Sequence, residues 1–89
     1  VKELEVQIAN RLGLHARAAA RFVHLANRFQ ARITVTKGDS RVDGKSILGL
    51  LTLAARDGTV LRLTAEGDDA EQALRELQAL VRNRFGEEA

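Results

Sequence analysis

The chain is expected to fold as an α+β protein of order βαββαβα, with a four-stranded antiparallel sheet and its helices stacked on one side. Three observations lead there. Four stretches alternate apolar and polar residues as half-buried strands do, and three others place apolar residues at helical spacing. Each strand has only one apolar face, so one helical layer is enough to cover the sheet. Periodicity leaves the strand order open, because a ferredoxin-like layout satisfies the same pattern.

The first strand runs over Lys2–Ala9, with Leu4, Val6 and Ile8 on one face and Glu3, Glu5 and Gln7 on the other. Over residues 16–29, Ala19, Phe22, Val23, Ala26 and Phe29 recur at helical spacing and form a core face. At about 100° per residue, Arg17, Arg21, His24 and Arg28 fall together on the opposite side as a basic stripe. Such a stripe is either a solvated face or a binding face for acidic partner proteins. Arg32 to Thr36 alternates again, Lys37-Gly38-Asp39-Ser40 reads as a turn, and Arg41-Val42-Asp43 returns to give a hairpin.

Asp43-Gly44-Lys45 leads into a second helix from Ser46 to about Ala54, with Ser46 a favoured N-cap. Ile47, Leu48, Leu50, Leu51 and Leu53 crowd almost all its sides, so some apolar surface must face outward, as docking sites do. Arg56-Asp57-Gly58 supplies a turn and Thr59–Glu66 the last strand, with Leu61, Leu63 and Ala65 inward. In the final helix Asp68 with Glu71 suggests a capping box. Ala70, Ala73, Leu74, Leu77, Leu80 and Val81 line its buried face, and Gly86 is a natural stop. Glu87-Glu88-Ala89 is expected to be loose.

The 89 residues fit one domain over 1–89. Apolar residues make up 45%, with no Trp or Tyr and three Phe, so the core must be aliphatic. No stretch approaches the roughly 20 apolar residues that span a bilayer, and a cytoplasmic protein is expected. Zero Cys excludes disulfides and thiolate metal sites. Charge is nearly balanced at 14 basic against 12 acidic residues, and the pI of 9.7 reflects the many Arg residues more than a large excess charge. That is a poor basis for expecting nucleic acid binding.

The chemistry concentrates in Asn10-Arg11-Leu12-Gly13-Leu14-His15-Ala16-Arg17 and the small residues that follow. A strand ends, a Gly-containing loop follows, and a helix begins right after the histidine. His15 therefore falls at or near the helix N-cap, beside the free N–H groups of the first turn at Ala16 and Arg17. A helix N-terminus binds anions such as phosphate, and its field disfavours the imidazolium, so His15 leans towards its neutral, nucleophilic form. Arg17 adds a fixed cation suited to phosphate oxygens. His24 is read as a surface residue, since its spacing from His15 fits no common metal pattern and no metal is expected.

Gly13-Leu14-His15-Ala16-Arg17 and the small residues after it resemble the active-site signature of HPr, the histidine-containing phosphocarrier of the bacterial phosphotransferase system. The likeness covers nearly the whole chain. One departure is Ala18, where the family commonly has a proline that would fix the first turn. A second likeness is Lys45-Ser46-Ile47-Leu48-Gly49, which resembles the segment carrying the regulatory serine in HPr proteins of Gram-positive type.

The resemblance implies an open-faced β-sandwich with strand order 1-4-2-3 and three helices on one face. It implies that phospho-enzyme I, charged by phosphoenolpyruvate, phosphorylates His15 on Nδ1, that Arg17 stabilises the phosphate, and that enzyme IIA domains accept the group in sugar uptake. It further implies phosphorylation at Ser46 by an HPr kinase/phosphorylase, with a catabolite-control regulator as partner. The docking surface would comprise Arg17, Arg21, His24, Arg28, Ile47, Leu48 and Leu51. A monomer without cofactor is expected, acting as a phosphoryl-transfer intermediate and not as an independent enzyme. No Walker loop or nucleotide motif is present.

The main rival is an RNA-binding module of the same element order. It needs aromatic rings on the sheet for base stacking, and Phe22, Phe29 and Phe85 all fall on predicted helices. A hydrolase is weaker still: Ser40 and Ser46 lack a nucleophile-elbow context, and no third group is evident to orient His15.

Overall fold

The computed structural model describes residues 1–89. The elements are β1 (Lys2–Gln7), α1 (Ala16–Ala26), β2 (Arg32–Lys37), β3 (Ser40–Asp43), α2 (Ile47–Thr52), β4 (Val60–Glu66) and α3 (Ala70–Arg82), then a single 3₁₀ turn at Arg84–Gly86. The order is the expected βαββαβα. All three ladders are antiparallel and the sheet runs β1-β4-β2-β3, so the last strand lies between the first two. Periodicity left this choice open, and the resemblance gave it correctly. No helix is long and apolar enough to cross a membrane.

Alternation along the strands decides which face of the sheet is covered. Val6 of β1, Ile33 and Val35 of β2, and Leu61, Leu63 and Ala65 of β4 are all buried. Against them pack Ala18, Ala19, Phe22, Val23 and Ala26 of α1, Leu50 of α2, and Ala73, Leu74, Leu77 and Val81 of α3. The other face carries Glu3, Glu5, Thr34, Thr36, Arg62 and Thr64, paired across the strands and left open. None of the three Phe residues lies on that face, and all of them are buried.

Element ends depart from the periodicity for identifiable reasons. The first helix stops at Ala26 instead of continuing to residue 29. Arg28 N–H donates to Leu25 and Phe29 N–H to Ala26, so the chain tightens into 3₁₀-type turns while Phe29 stays in the core. The second helix ends at Thr52, since Ala54 takes a left-handed φ of 50°. Helix α3 starts after Asp69, and the expected Asp68–Glu71 box does not form. The Asp69 carboxylate instead accepts the N–H groups of Gln30 (2.8 Å) and Ala31 (2.9 Å), while Glu71 pairs with Arg75 one turn on. Those hydrogen bonds, the Gln30 one first, hold the Asp69 carboxyl below its ordinary value.

The largest departure is at the C-terminus. Arg84 and Phe85 both adopt left-handed φ, 56° and 55°, which reverses the chain after α3. Phe85 is buried in the core, and the residues after it are drawn back across the start of α1. The tail expected to be loose is docked, because it finds hydrogen-bond partners more than 60 residues away: Arg11 N–H donates to the Ala89 carbonyl (3.0 Å), and the Arg21 guanidinium donates to the Phe85 carbonyl.

Candidate functional site

The loop from Asn10 to Leu14 fixes the histidine. Gly13 N–H donates to Asn10 O, and Leu14 N–H donates to Ala55 O at 2.9 Å. Gly13 has φ +69°, and a Cβ there would lie 2.4 Å from the Ala55 carbonyl oxygen, so the close approach admits only glycine. Asn10 is fully buried, and its Nδ2 donates both to Gly13 O (2.8 Å) and to Glu87 Oε1 (2.9 Å). His15 then sits at the N-cap of α1 in extended conformation, its carbonyl accepting Ala19 N–H at 2.8 Å. Its side chain makes no capping bond, so the ring is free for other work.

That ring is held by a residue the sequence reading passed over. His15 Nε2 hydrogen-bonds Glu87 Oε2, and the same oxygen lies 3.6 Å from an Arg17 guanidinium nitrogen. An ionised carboxylate can only accept, so the neutral ring carries its proton on Nε2 and keeps the lone pair on Nδ1. Nδ1 has no partner within the chain. Glu87 is thus the third group for which no candidate was evident, and the ring meets a carboxylate as well as the helix N-terminus. The His15 side chain is 25% exposed, which leaves its free edge open to another molecule.

Glu87 is ionised firmly. The Asn10 hydrogen bond, then the His15 hydrogen bond, and the nearby charges of His15 and Arg17 hold its carboxyl below the ordinary 4.5, against the opposing effect of burial. A carboxyl lowered on folding stabilises the docked tail at neutral pH, and this contribution is lost as pH falls below 4.5 through the depressed folded value. The protection factors of the Arg11, Gly86 and Glu87 amides, which donate to Ala89 O, Asn83 O and Arg84 O, should therefore fall on acidification through that window once the intrinsic slowing of exchange in acid is divided out. In Glu87→Gln that acid step should be missing.

Residues 2–83 match the family described as "PTS HPr component phosphorylation site". The chain belongs to the HPr family. The phosphocarrier protein HPr of Neisseria meningitidis serogroup A is 50% identical over 82 residues, 92% of each chain. That of Pseudomonas aeruginosa is 49% identical over 85 residues, 94% of each. A crystal structure of an HPr from Thermoanaerobacter tengcongensis superposes with a TM-score of 0.96 at 45% identity, covering all of both chains. HPr proteins are phosphocarriers of the phosphotransferase system, and a histidine that carries phosphate accords with the exposed ring at the helix start.

The remaining residues singled out in the sequence sort by their surroundings. Within the HPr fold, Ser46 caps α2, its Oγ accepting Gly49 N–H at 3.0 Å. Ile47, Leu48 and Leu51 are exposed while Leu50 and Leu53 are buried, so the surplus of apolar residues on this short helix does face outward. Leu12, in the histidine loop, is a further exposed apolar residue that the periodicity did not single out, since it lies outside any element. Arg17, Arg21 and His24 are exposed along α1, and Arg28 is exposed in the turn that follows it. Arg21, however, is committed to the Phe85 carbonyl and helps hold the tail, so only part of the stripe is free for a partner.

Proposed function

We propose that this chain, as one cytoplasmic domain over residues 1–89, carries a phosphoryl group on Nδ1 of His15, accepting it from phospho-enzyme I and passing it to enzyme IIA domains in sugar uptake. The observation that carries this reading is the unpartnered Nδ1 of a partly exposed ring at the start of α1. In the transfer, Nδ1 attacks the phosphorus of the donor in line, the donor's bond to phosphorus breaks, and the Nε2 proton stays in place. The N–H groups of Ala16 and Arg17, which no preceding turn can satisfy, and the Arg17 side chain supply charge stabilisation to the phosphoryl oxygens. A docked partner supplies the rest, so a deep pocket is not required. Arg17, His24 and Arg28 with Ile47, Leu48 and Leu51 form the docking surface, which joins the free part of the basic stripe to an apolar patch as interfaces do, while Arg21 beside them stays on the Phe85 carbonyl.

The direct test is incubation with enzyme I and phosphoenolpyruvate, followed by intact mass and acid lability. One acid-labile phosphate per chain is expected. No uptake in the presence of an enzyme I active on another HPr would overturn the reading.

Ser46 belongs to the same proposal as a regulatory position, phosphorylated by an HPr kinase/phosphorylase and read by a catabolite-control regulator. Its place at the rim of Ile47, Leu48 and Leu51 supports this. The helix start tolerates negative charge, and Asp is as good an N-cap as Ser. Ser46→Asp should therefore melt within ~0.5 kcal/mol of wild type. The added charge should repel an acidic partner and raise the apparent KM for enzyme I about tenfold, equivalent to ~1.4 kcal/mol. Thermal melts and phosphorylation rates across enzyme I concentration check both halves. Equal rates would leave Ser46 as a cap alone.

A further inference from the structure

We infer that Glu87 is a positioning residue for the reaction of His15, and that Asn10 acts on the histidine through it; this rests on His15 being the phosphoryl acceptor. The two ring nitrogens of His15 have different surroundings. Nε2 faces the Glu87 carboxylate, and Nδ1 faces none. Glu87 in turn is aimed by Asn10, a fully buried side chain whose Nδ2 holds Glu87 Oε1 at 2.9 Å. A chain of amide, carboxylate and imidazole results, in which each member fixes the orientation of the next.

Two consequences follow for the chemistry. Before transfer, the carboxylate accepts a hydrogen bond from Nε2–H and so disfavours the tautomer whose Nδ1 is protonated and cannot attack. After transfer, Nδ1 bears the phosphoryl group while Nε2 keeps its hydrogen, so the ring carries a positive charge. The carboxylate neutralises that charge from the edge of the ring away from phosphorus, and no proton has to move in either direction. When the group leaves for an acceptor, the bond between Nδ1 and phosphorus breaks and its electron pair returns to Nδ1, restoring the starting tautomer. Arg17 contacts the same Glu87 oxygen at 3.6 Å, so it is held close to the ring before a phosphoryl group arrives.

The remainder of the tail delivers Glu87. Phe85 is seated in the core, its carbonyl is held by Arg21, and Ala89 O accepts Arg11 N–H, so contacts on both sides of Glu87 close the segment over the histidine loop. A tail that merely covered the fold would need no carboxylate at this point.

The test compares the full chain with Glu87→Ala, Glu87→Gln and Asn10→Ala, using enzyme I and phosphoenolpyruvate together with ¹⁵N spectra of the His15 ring. In Glu87→Ala, kcat should fall about tenfold, the scale of one hydrogen bond to a charged group, with KM for enzyme I and the melting temperature close to wild type. The ring spectrum of the neutral form should move from a single Nε2–H tautomer towards a mixture. Glu87→Gln, which still offers an acceptor oxygen, should recover the tautomer and part of the rate. Asn10→Ala should show the same defect in kcat, and adding it to Glu87→Ala should cost less than it does in the wild-type chain, the remainder being its bond to Gly13 O. A wild-type kcat and tautomer in Glu87→Ala would overturn the assignment, as would a loss confined to KM or matched by a loss of melting temperature. Failure of the wild-type protein itself to take up phosphate would instead count against His15 as acceptor, so the two readings fail separately.

Discussion

His15→Ala should give a folded protein that takes up no acid-labile phosphate from phospho-enzyme I. The expected loss is complete because acid-labile phosphate of this kind sits on a ring nitrogen, and no other histidine lies at a helix N-terminus. His24, the only other histidine, is exposed along the flank of α1 with no anion-binding surround. The fold should survive because the His15 ring neither caps the helix nor enters the core: its single side-chain hydrogen bond goes to Glu87. The N-cap bond from Ala19 N–H uses the backbone carbonyl, which alanine retains. Intact mass after incubation, beside a thermal melt, separates the two effects. Undiminished labelling of the variant would move the acceptor elsewhere.

Phe85→Ala should be the most damaging single change outside the site for its effect on both stability and transfer. The ring is 1% exposed and joins the core beneath the tail. Truncating a buried Phe costs ~3–5 kcal/mol, a large share of the stability of so small a domain. The urea midpoint should fall accordingly, with an unchanged slope if the native state is otherwise intact. The second effect is local. Without its anchor the tail loses its register over Asn10 and His15, and hydrogen exchange at the Arg11, Gly86 and Glu87 amides should approach the rate of an unfolded segment even in the absence of urea. If those amides stayed protected, Arg21 and Arg11 alone would suffice to hold the tail, and the anchor role of Phe85 would be wrong.

Much of the molecule is local and therefore legible. Alternation in Leu4-Glu5-Val6 or Leu61-Arg62-Leu63 names the buried face of a strand, because successive side chains must point to opposite sides. Ala19, Phe22, Val23 and Ala26 name the buried face of α1 by the same kind of rule. Ser46 reads as a cap because its oxygen reaches only its own helix. His15 and Arg17 are likewise within one turn of each other, and the N-cap placement follows from where the apolar period begins. The Asp69 case marks the limit. Its carboxylate has the composition of a local cap, yet two amides from the segment before β2 claim it.

The sequence by itself determined the seven elements, their apolar faces and the histidine at a helix start, since each depends on residues a few positions apart. Strand order, the reversal at Arg84 and Phe85, and the return of Glu87 to His15 across 72 residues were decided only by the tertiary structure. A period reports what a segment buries and not what it is buried against. Which strand lies between which, and which carboxylate meets which imidazole, depends on how the helical layer closes over the sheet. Glu87 carries no local mark: in the sequence it is one acid in a polar tail. Its meaning arises once Phe85 has found the core and the next two residues have nowhere to go but across the start of α1.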